Sequence, residues 1–273
     1  MRNELKNMLV VAQWDLIKLK NQRIFLAMRL AWFTIQVLVF ARAISYIVKQ
    51  AVSEIIGVDY YYFYVLGVYT SLLYSTGISR GYIIADEFDD GIVEYHLSLP
   101  VKRSVLAIGR VLGSALSAVI FTTPMILVIM LALYFSKPFT LSPLSITAMV
   151  LSIMAFSIGV VSFVVLLVMK VRSTDATDIL LGVIDAFLVR LSTVFYPLPV
   201  VEASGIQPYY VAVLVNPISH MTDFLRVLVF PEYELVLKYG LHASLLYVLG
   251  LAMGLLILAV EYFEKRLEAG GWK

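Results

Sequence analysis

The sequence predicts an all-α integral membrane protein. Its expected parts are six transmembrane helices, an N-terminal amphipathic helix at the interface, a short helix on the inner face and re-entrant helices on the outer face. Three observations carry the prediction. Of 273 residues, 61% are hydrophobic and 15% charged, with a mean hydropathy of +0.89, whereas soluble domains average roughly 45–50% apolar and about 25% charged. Six stretches are long and apolar enough to cross about 30 Å of hydrocarbon at about 1.5 Å per residue. The lysines and arginines fall unevenly on the two sides of those stretches.

Residues 1–23 come first. Leu5, Met8, Leu9, Ala12, Leu16 and Leu19 share one helical sector, and Glu4, Asn7, Asp15, Lys18 and Gln22 share another. The segment therefore reads as a helix lying on the inner membrane surface. It has no signal-peptide core or small-residue cleavage site, so no processing is expected. The crossings follow at 24–48, 60–85, 105–135, 145–170, 177–200 and 239–263. With six of them both termini share a side, and that side holds 15 of the 21 basic residues, Lys18, Lys20, Lys102, Arg103 and Lys170 among them. The positive-inside rule makes it the cytoplasm. Residues 201–238 contain two apolar runs too short to span, separated by His220, Asp223 and Arg226. A charge at the centre of a spanning helix costs roughly 2.5–3.5 kcal/mol, so this segment is predicted to dip in from the outer face and return. The chain 1–273 is read as one multi-pass domain in the cell membrane, with both termini cytoplasmic.

Composition also excludes chemistry. Cysteine is absent, which removes disulfides, thiolate metal ligands and a cysteine nucleophile. A net charge of +2 is too small to suggest nucleic acid as a partner. The only histidines are His96, His220 and His242, with no H-E-x-x-H among them. Asp86, Glu87, Asp89 and Asp90 lack the alternating pattern of a calcium loop. No catalytic residue and no metal ligand is predicted. The phosphate loop G-x-x-x-x-G-K-[ST] is missing too, since the chain has no Gly-Lys pair, and ATP hydrolysis by that route is excluded.

The largest polar interruption lies on the inner side between the second and third crossings. In residues 86–103 the acids come first and the bases last, as a helix dipole favours. Asp89 or Asp90 is placed to cap a short helix and Pro100 to end it. Ile92, Val93, Tyr95, His96, Leu97 and Leu99 leave that helix apolar around most of its circumference. A helix of this kind facing water requires burial, either against its own bundle or against a docked partner. Both readings stand at this point.

The pattern Glu87-x-x-x-Gly91-x-x-Glu94, then Leu97, Leu99-Pro100-Val101, Lys102-Arg103 and Gly109-Arg110, resembles the coupling-helix region of ABC-2-type permeases. These are the membrane subunits of one class of ATP-binding cassette transporters. Asn216-Pro217-Ile218-Ser219-His220 with Arg226 resembles that family's second signature, and Phe195-Tyr196-Pro197 the end of its fifth span. The resemblance runs through the whole chain in order.

The resemblance implies a permease subunit, not an enzyme. With a second permease subunit, identical or paralogous, it would line a path for substrate, export being the expected direction. ATP and Mg would bind to separate cytoplasmic ATPase subunits, and no cofactor to this chain. Residues 92–99 would insert into a groove on the ATPase, with Ile92 and Leu97 buried there and Glu87 and Glu94 facing its basic residues. Gly91 would permit the turn out of the second crossing, and Pro100 and Arg103 would complete the coupling segment. The alternative for Glu87 and Glu94 is an acidic face paired with Lys102 and Arg103. For Asn216 and Pro217 the simpler expectation is a helix cap and turn that seals the outer face.

Charges inside crossings are candidates for function. Arg29 and Arg42 lie near the ends of the first crossing, where they can snorkel. Asp185 and Arg190 are deeper and about 140° apart on one helix, and they are the candidates for the translocation path. They also suit a rival reading, a self-sufficient secondary carrier or channel, against which the sequence shows no evident internal repeat. Gly109 with Gly113 and Gly250 with Gly254 have the spacing that lets helices approach closely, expected within one subunit.

Overall fold

A computed structural model describes residues 2–48, 50–136, 139–233 and 240–266, and every regular element among them is helical. The chain runs through α1 (Arg2–Lys20) and α2 (Arg23–Ile35), which continues by a π-helical turn (Gln36–Phe40) into α3 (Ala41–Ile47). Then come α4 (Gln50–Ile56), α5 (Tyr60–Asp89), α6 (Ile92–Ser98), α7 (Arg103–Ser136) and α8 (Pro143–Val171). The last are α9 (Thr174–Arg190), α10 (Leu198–Ala203), α11 (Gln207–Val215), α12 (Pro217–Val229) and α13 (Leu241–Arg266). Tyr239 at the start of the expected sixth crossing, Lys238 at the end of the outer segment, and Lys273 in the charge count lie outside the described residues.

Four helical stretches are long and apolar enough to cross a membrane: Arg23–Ile47, Arg103–Ser136, Pro143–Val171 and Leu241–Lys265. The chain is thus an all-helical protein with the makings of a membrane protein. The other two expected crossings correspond to α5 and α9. Tyrosine, serine and threonine dilute the first part of α5, and Arg80, Asp86, Glu87 and Asp89 charge its last. With 17 residues, α9 is short.

Side chains set several helix starts. The Asp59 carboxylate accepts from the Tyr61 amide at 2.7 Å, and the Ser142 hydroxyl from the Ser145 amide at 3.0 Å. Each satisfies an amide that the helix leaves orphaned. The expected fifth helix, 177–200, ends ten residues early. Pro197 and Pro199 cannot extend a helix, and the chain instead turns at Leu191, turning the carbonyls of Thr193 and Val194 toward α12. Between the first two crossings the structure adds α4, which the sequence did not suggest.

Glycines set the closest helix contacts. A Cβ on Gly113 of α7 would lie 2.7 Å from the Ala12 carbonyl oxygen of α1, and one on Gly109 would lie 2.9 Å from Val11. The Gly109/Gly113 pair therefore packs within the chain, as expected. Gly250 and Gly254 do not, since nothing lies within 4 Å of a Cβ at either.

Helix α1 departs from the expected orientation. Its polar sector was to face water, yet Val11 and Asp15 are its buried positions, while Leu5, Leu9 and Ile17 are exposed. The physical reason is an ion network with α7 and α5.

Candidate functional site

Three polar constructions sit in this bundle, and α5 touches all of them. The first lies at its C-terminal end. Arg110 of α7 donates to the Asp15 carboxylate at 2.8 Å and to the Glu87 carboxylate at 2.7 Å; Ser114 donates to Asp15 at 2.9 Å, and Lys18 to Glu87. Asp15, Glu87 and Arg110 are only 2–3% exposed, so three helices meet on a desolvated charge cluster. Burial pushes the Asp15 carboxyl up from its ordinary value, while the Arg110 guanidinium pulls it down.

Helix α6 hangs from this cluster. Gly91 has φ +69°, in the left-handed region that glycine adopts without strain, and it turns the chain sharply out of α5. No side chain caps α6; Asp89, expected as a cap, instead accepts from the Thr174 hydroxyl of α9. Leu99 is extended ahead of Pro100, which ends the helix. Val93 is buried and Leu97 packs on the same hydrophobic cluster, whereas Ile92, Glu94 and Tyr95 are exposed, Tyr95 by 66%. His96 stacks on Trp14 of α1, with ring centroids 4.6 Å apart, and burial pushes its imidazole below the ordinary value. Lys102 pairs with Glu4 at 2.6 Å, and Arg103 is the exposed first residue of α7. So α1 holds α6 through His96 and the residues after it through Lys102.

The expected placement of the acids needs correction. Glu87 does not face outward to a partner, and it does not pair with Lys102 or Arg103; it is sequestered by Arg110 and Lys18. Glu94 is exposed.

The second construction joins the N-terminal end of α5 to α12. Arg226 donates to the carbonyls of Phe63 at 2.8 Å, Thr193 at 2.9 Å and Val194 at 3.1 Å, and to the Asp223 carboxylate at 3.0 Å. Its guanidinium lies 3.4 Å from the centre of the Phe63 ring. Thr193 and Tyr233 hydroxyls also donate to Asp223, each at 3.2 Å. Gly67 has to be glycine here, since a Cβ would sit 2.2 Å from the Val194 carbonyl oxygen. Asn216 caps α12 by accepting from the Ile218 amide at 2.9 Å, and its amide group donates to Leu188 and Leu191 carbonyls. Pro217 occupies the first turn, where its missing N–H costs nothing. The cap-and-turn expectation for Asn216 and Pro217 describes this geometry.

The third construction is a cleft of about 570 Å³ between α2, α5 and α9. Ser75, Ser79, Tyr82 and Asp86 line it from α5, Asp178 and Asp185 from α9, and Gln22 and Phe25 from the start of α2; Arg80 also faces it. A second cleft of about 530 Å³ shares Asp185 and continues past Val189 and Arg190 to Phe195 and Tyr196. Asp185 thus stands where the two clefts meet, and Arg190 lines the second. The two candidates do not touch as an ion pair. Among the described residues no group of three or more His, Asp or Glu side chains is arranged to hold a metal ion.

Sequence reasoning missed Arg80, Asp86, Asp178 and Gln22 as lining residues. A signal existed: Ser75, Ser79, Tyr82 and Asp86 recur at i, i+4, i+7 and i+11, one polar face of a helix. Asp178 and Asp185, seven apart, share a face in the same way. No protein-family model matches the chain, and no curated protein matches it. The functional reading therefore rests on these residues and their geometry.

Proposed function

We propose that the chain is the permease subunit of an ATP-binding cassette transporter of the ABC-2 type. It crosses the cell membrane six times with both termini in the cytoplasm. It pairs with a second permease subunit to line a substrate path, and exports substrate using ATP and Mg held by separate cytoplasmic ATPase subunits.

The observation that carries the reading is α6. It keeps Val93 and Leu97 for its own bundle and leaves Ile92 and Tyr95 exposed, while α1 and Gly91 tie it to the helices that line the cleft. An exposed apolar face on a short, tightly tethered helix suits a docking point through which force is passed. Pushing on α6 loads α5 through Gly91, and loads α1 and α7 through the His96 stack and the Arg110 cluster. Through α5 that load reaches a wall of the cleft, as alternating access requires.

Six crossings are supported by the reach of α5 and α9. Phe63, bonded to Arg226, and Glu87, bonded to Arg110, are 24 residues apart on one helix, or about 36 Å. This exceeds the roughly 30 Å of hydrocarbon. Helix α9 links the same two layers, with Thr174 bonded to Asp89 at one end and the Leu188 and Leu191 carbonyls bonded to Asn216 at the other. In this reading Asp185 and Arg190 stand on the path. The rival, a secondary carrier or channel working alone, draws on the same charged cleft but leaves the exposed face of α6 without a task.

The test is to purify the tagged chain from its native membranes and assay ATP hydrolysis in the preparation. Wild type is expected to bring ATPase activity with it. Ile92→Glu with Tyr95→Glu, both at exposed positions, is expected to reduce that activity at least tenfold while leaving the melting temperature of the chain unchanged. Equal activity in the double variant would overturn the docking role of α6, and solute flux by the chain alone without ATP would favour the rival.

A further inference from the structure

We infer that the cleft between α2, α5 and α9 binds a zwitterion, its anionic oxygens against Arg80 and its ammonium group against Asp185. This rests on the path reading above and assigns that path a ligand chemistry.

Arg80 is only 4% exposed, and its Nε is buried without a hydrogen-bond partner. Among the described residues it forms no ion pair within bonding distance; the Phe121 ring lies 5.2 Å from the guanidinium, and the Asp15 carboxylate, bonded to Arg110 and Ser114, acts on it only from further off. Asp185 Oδ1 and Gln22 Oε1 on the same cleft are likewise buried and unpartnered. Buried polar atoms are satisfied in about nine cases of ten or more, and a buried charge without a partner is costly. Three such atoms around one cavity is the pattern of a site waiting for its ligand. The cavity, about 570 Å³, falls in the range of small-molecule sites.

The sign of the lining selects the ligand. A simple anion would satisfy Arg80 but meet Asp86, Asp178 and Asp185 on its way in and at its seat. A simple cation would suit the three carboxylates and leave Arg80 as it is. A molecule carrying both charges satisfies both ends, and the guanidinium fork matches carboxylate or phosphate oxygens in a bidentate manner. Phe25, Ile78 and Leu181 supply apolar wall beside these groups, room for a short methylene spacer or the first carbons of a lipid.

Equilibrium binding to the purified full chain, without nucleotide, tests the assignment. The probes are phosphoethanolamine, γ-aminobutyrate and dihexanoylphosphatidylethanolamine, with inorganic phosphate and ethanolamine as the separate halves. At least one zwitterion is expected to bind saturably, and each half at least tenfold more weakly. Binding by the lipid form alone assigns the ligand to the membrane; binding by a free zwitterion assigns it to solution. Arg80→Gln and Asp185→Asn are each expected to weaken binding at least tenfold, and Glu54→Gln, exposed on α4 and outside the cleft lining, to leave it unchanged. Without ligand, Arg80→Gln is expected to melt at or above the wild-type temperature, because it removes an unpaired buried charge. The inference is overturned if no zwitterion binds, if phosphate binds as well as phosphoethanolamine, if Arg80→Gln binds like wild type, or if that variant melts well below it. Since no ATPase enters the measurement, its failure is separable from failure of the transporter reading.

Discussion

Arg110→Ala is expected to destabilise the chain by about 3–5 kcal/mol, the usual result of removing one partner from a buried charge cluster. Asp15 and Glu87 would be left in a site that is 2–3% exposed, where Lys18 is bonded only to Glu87 and no cation is bonded to Asp15. Equilibrium unfolding in detergent, followed by circular dichroism, reads the loss. Removing all three charges together, as Asp15→Asn, Glu87→Gln and Arg110→Met, is expected to recover more than half of it. What destabilises is the uncompensated charge rather than the missing attraction. Single and triple variants of equal stability would mean that the cluster is open to water. Because α6 is tied to the same helices, Arg110→Ala is also expected to lower the co-purified ATPase activity.

Arg226→Ala is expected to cost a similar amount, about 3–5 kcal/mol, at the other end of α5. One guanidinium satisfies three backbone carbonyls from two separate segments as well as Asp223. Its loss would take a donor from the Thr193 and Val194 carbonyls and leave the fully buried Asp223 carboxylate without its cation, held only by the Thr193 and Tyr233 hydroxyls. Arg226→Lys is expected to recover little, since an ammonium point charge cannot reproduce the planar fork. Amide hydrogen exchange in 191–195 and at the start of α5 should rise in both variants. Exchange confined to α12 would show that Arg226 does not hold these three segments together.

Much of this was legible in the residues, and the failures have physical causes. The most apolar helices, α2 with α3, α7, α8 and α13, fall within a few residues of their expected limits because long apolar runs fix them. Helix α9 was drawn too long. The apolar run through Leu198 and Val200 continues past its end, but Pro197 and Pro199 bar a continuous helix and the turn gives Arg226 the Thr193 and Val194 carbonyls. Asp15 lies on the polar side of a helical wheel and still points inward, because its partner Arg110 is 95 residues away and no local pattern reveals it. Glu87 was assigned to a partner's basic residues for the same reason. The turn at Gly91, the stop at Pro100 and the cap at Asn216 were readable, since each depends on backbone chemistry within a few residues. Arg80 is one of the 15 basic residues expected on the inner side; its place on the cleft becomes visible only once α2, α7 and α9 surround it.

The claim beneath all of these readings is that α6 and the α10–α11 region lie on opposite sides of a membrane, with α6 inside. The chain contains no cysteine, so single cysteines can be placed at will. Tyr95→Cys on α6 and Ala203→Cys on α10, both exposed, would be treated with a membrane-impermeant maleimide on intact cells and again after permeabilisation. Position 203 is expected to label on intact cells and position 95 only after permeabilisation. Labelling of position 95 from outside, or of both positions under the same condition, would contradict the six-crossing arrangement and the cytoplasmic docking of α6.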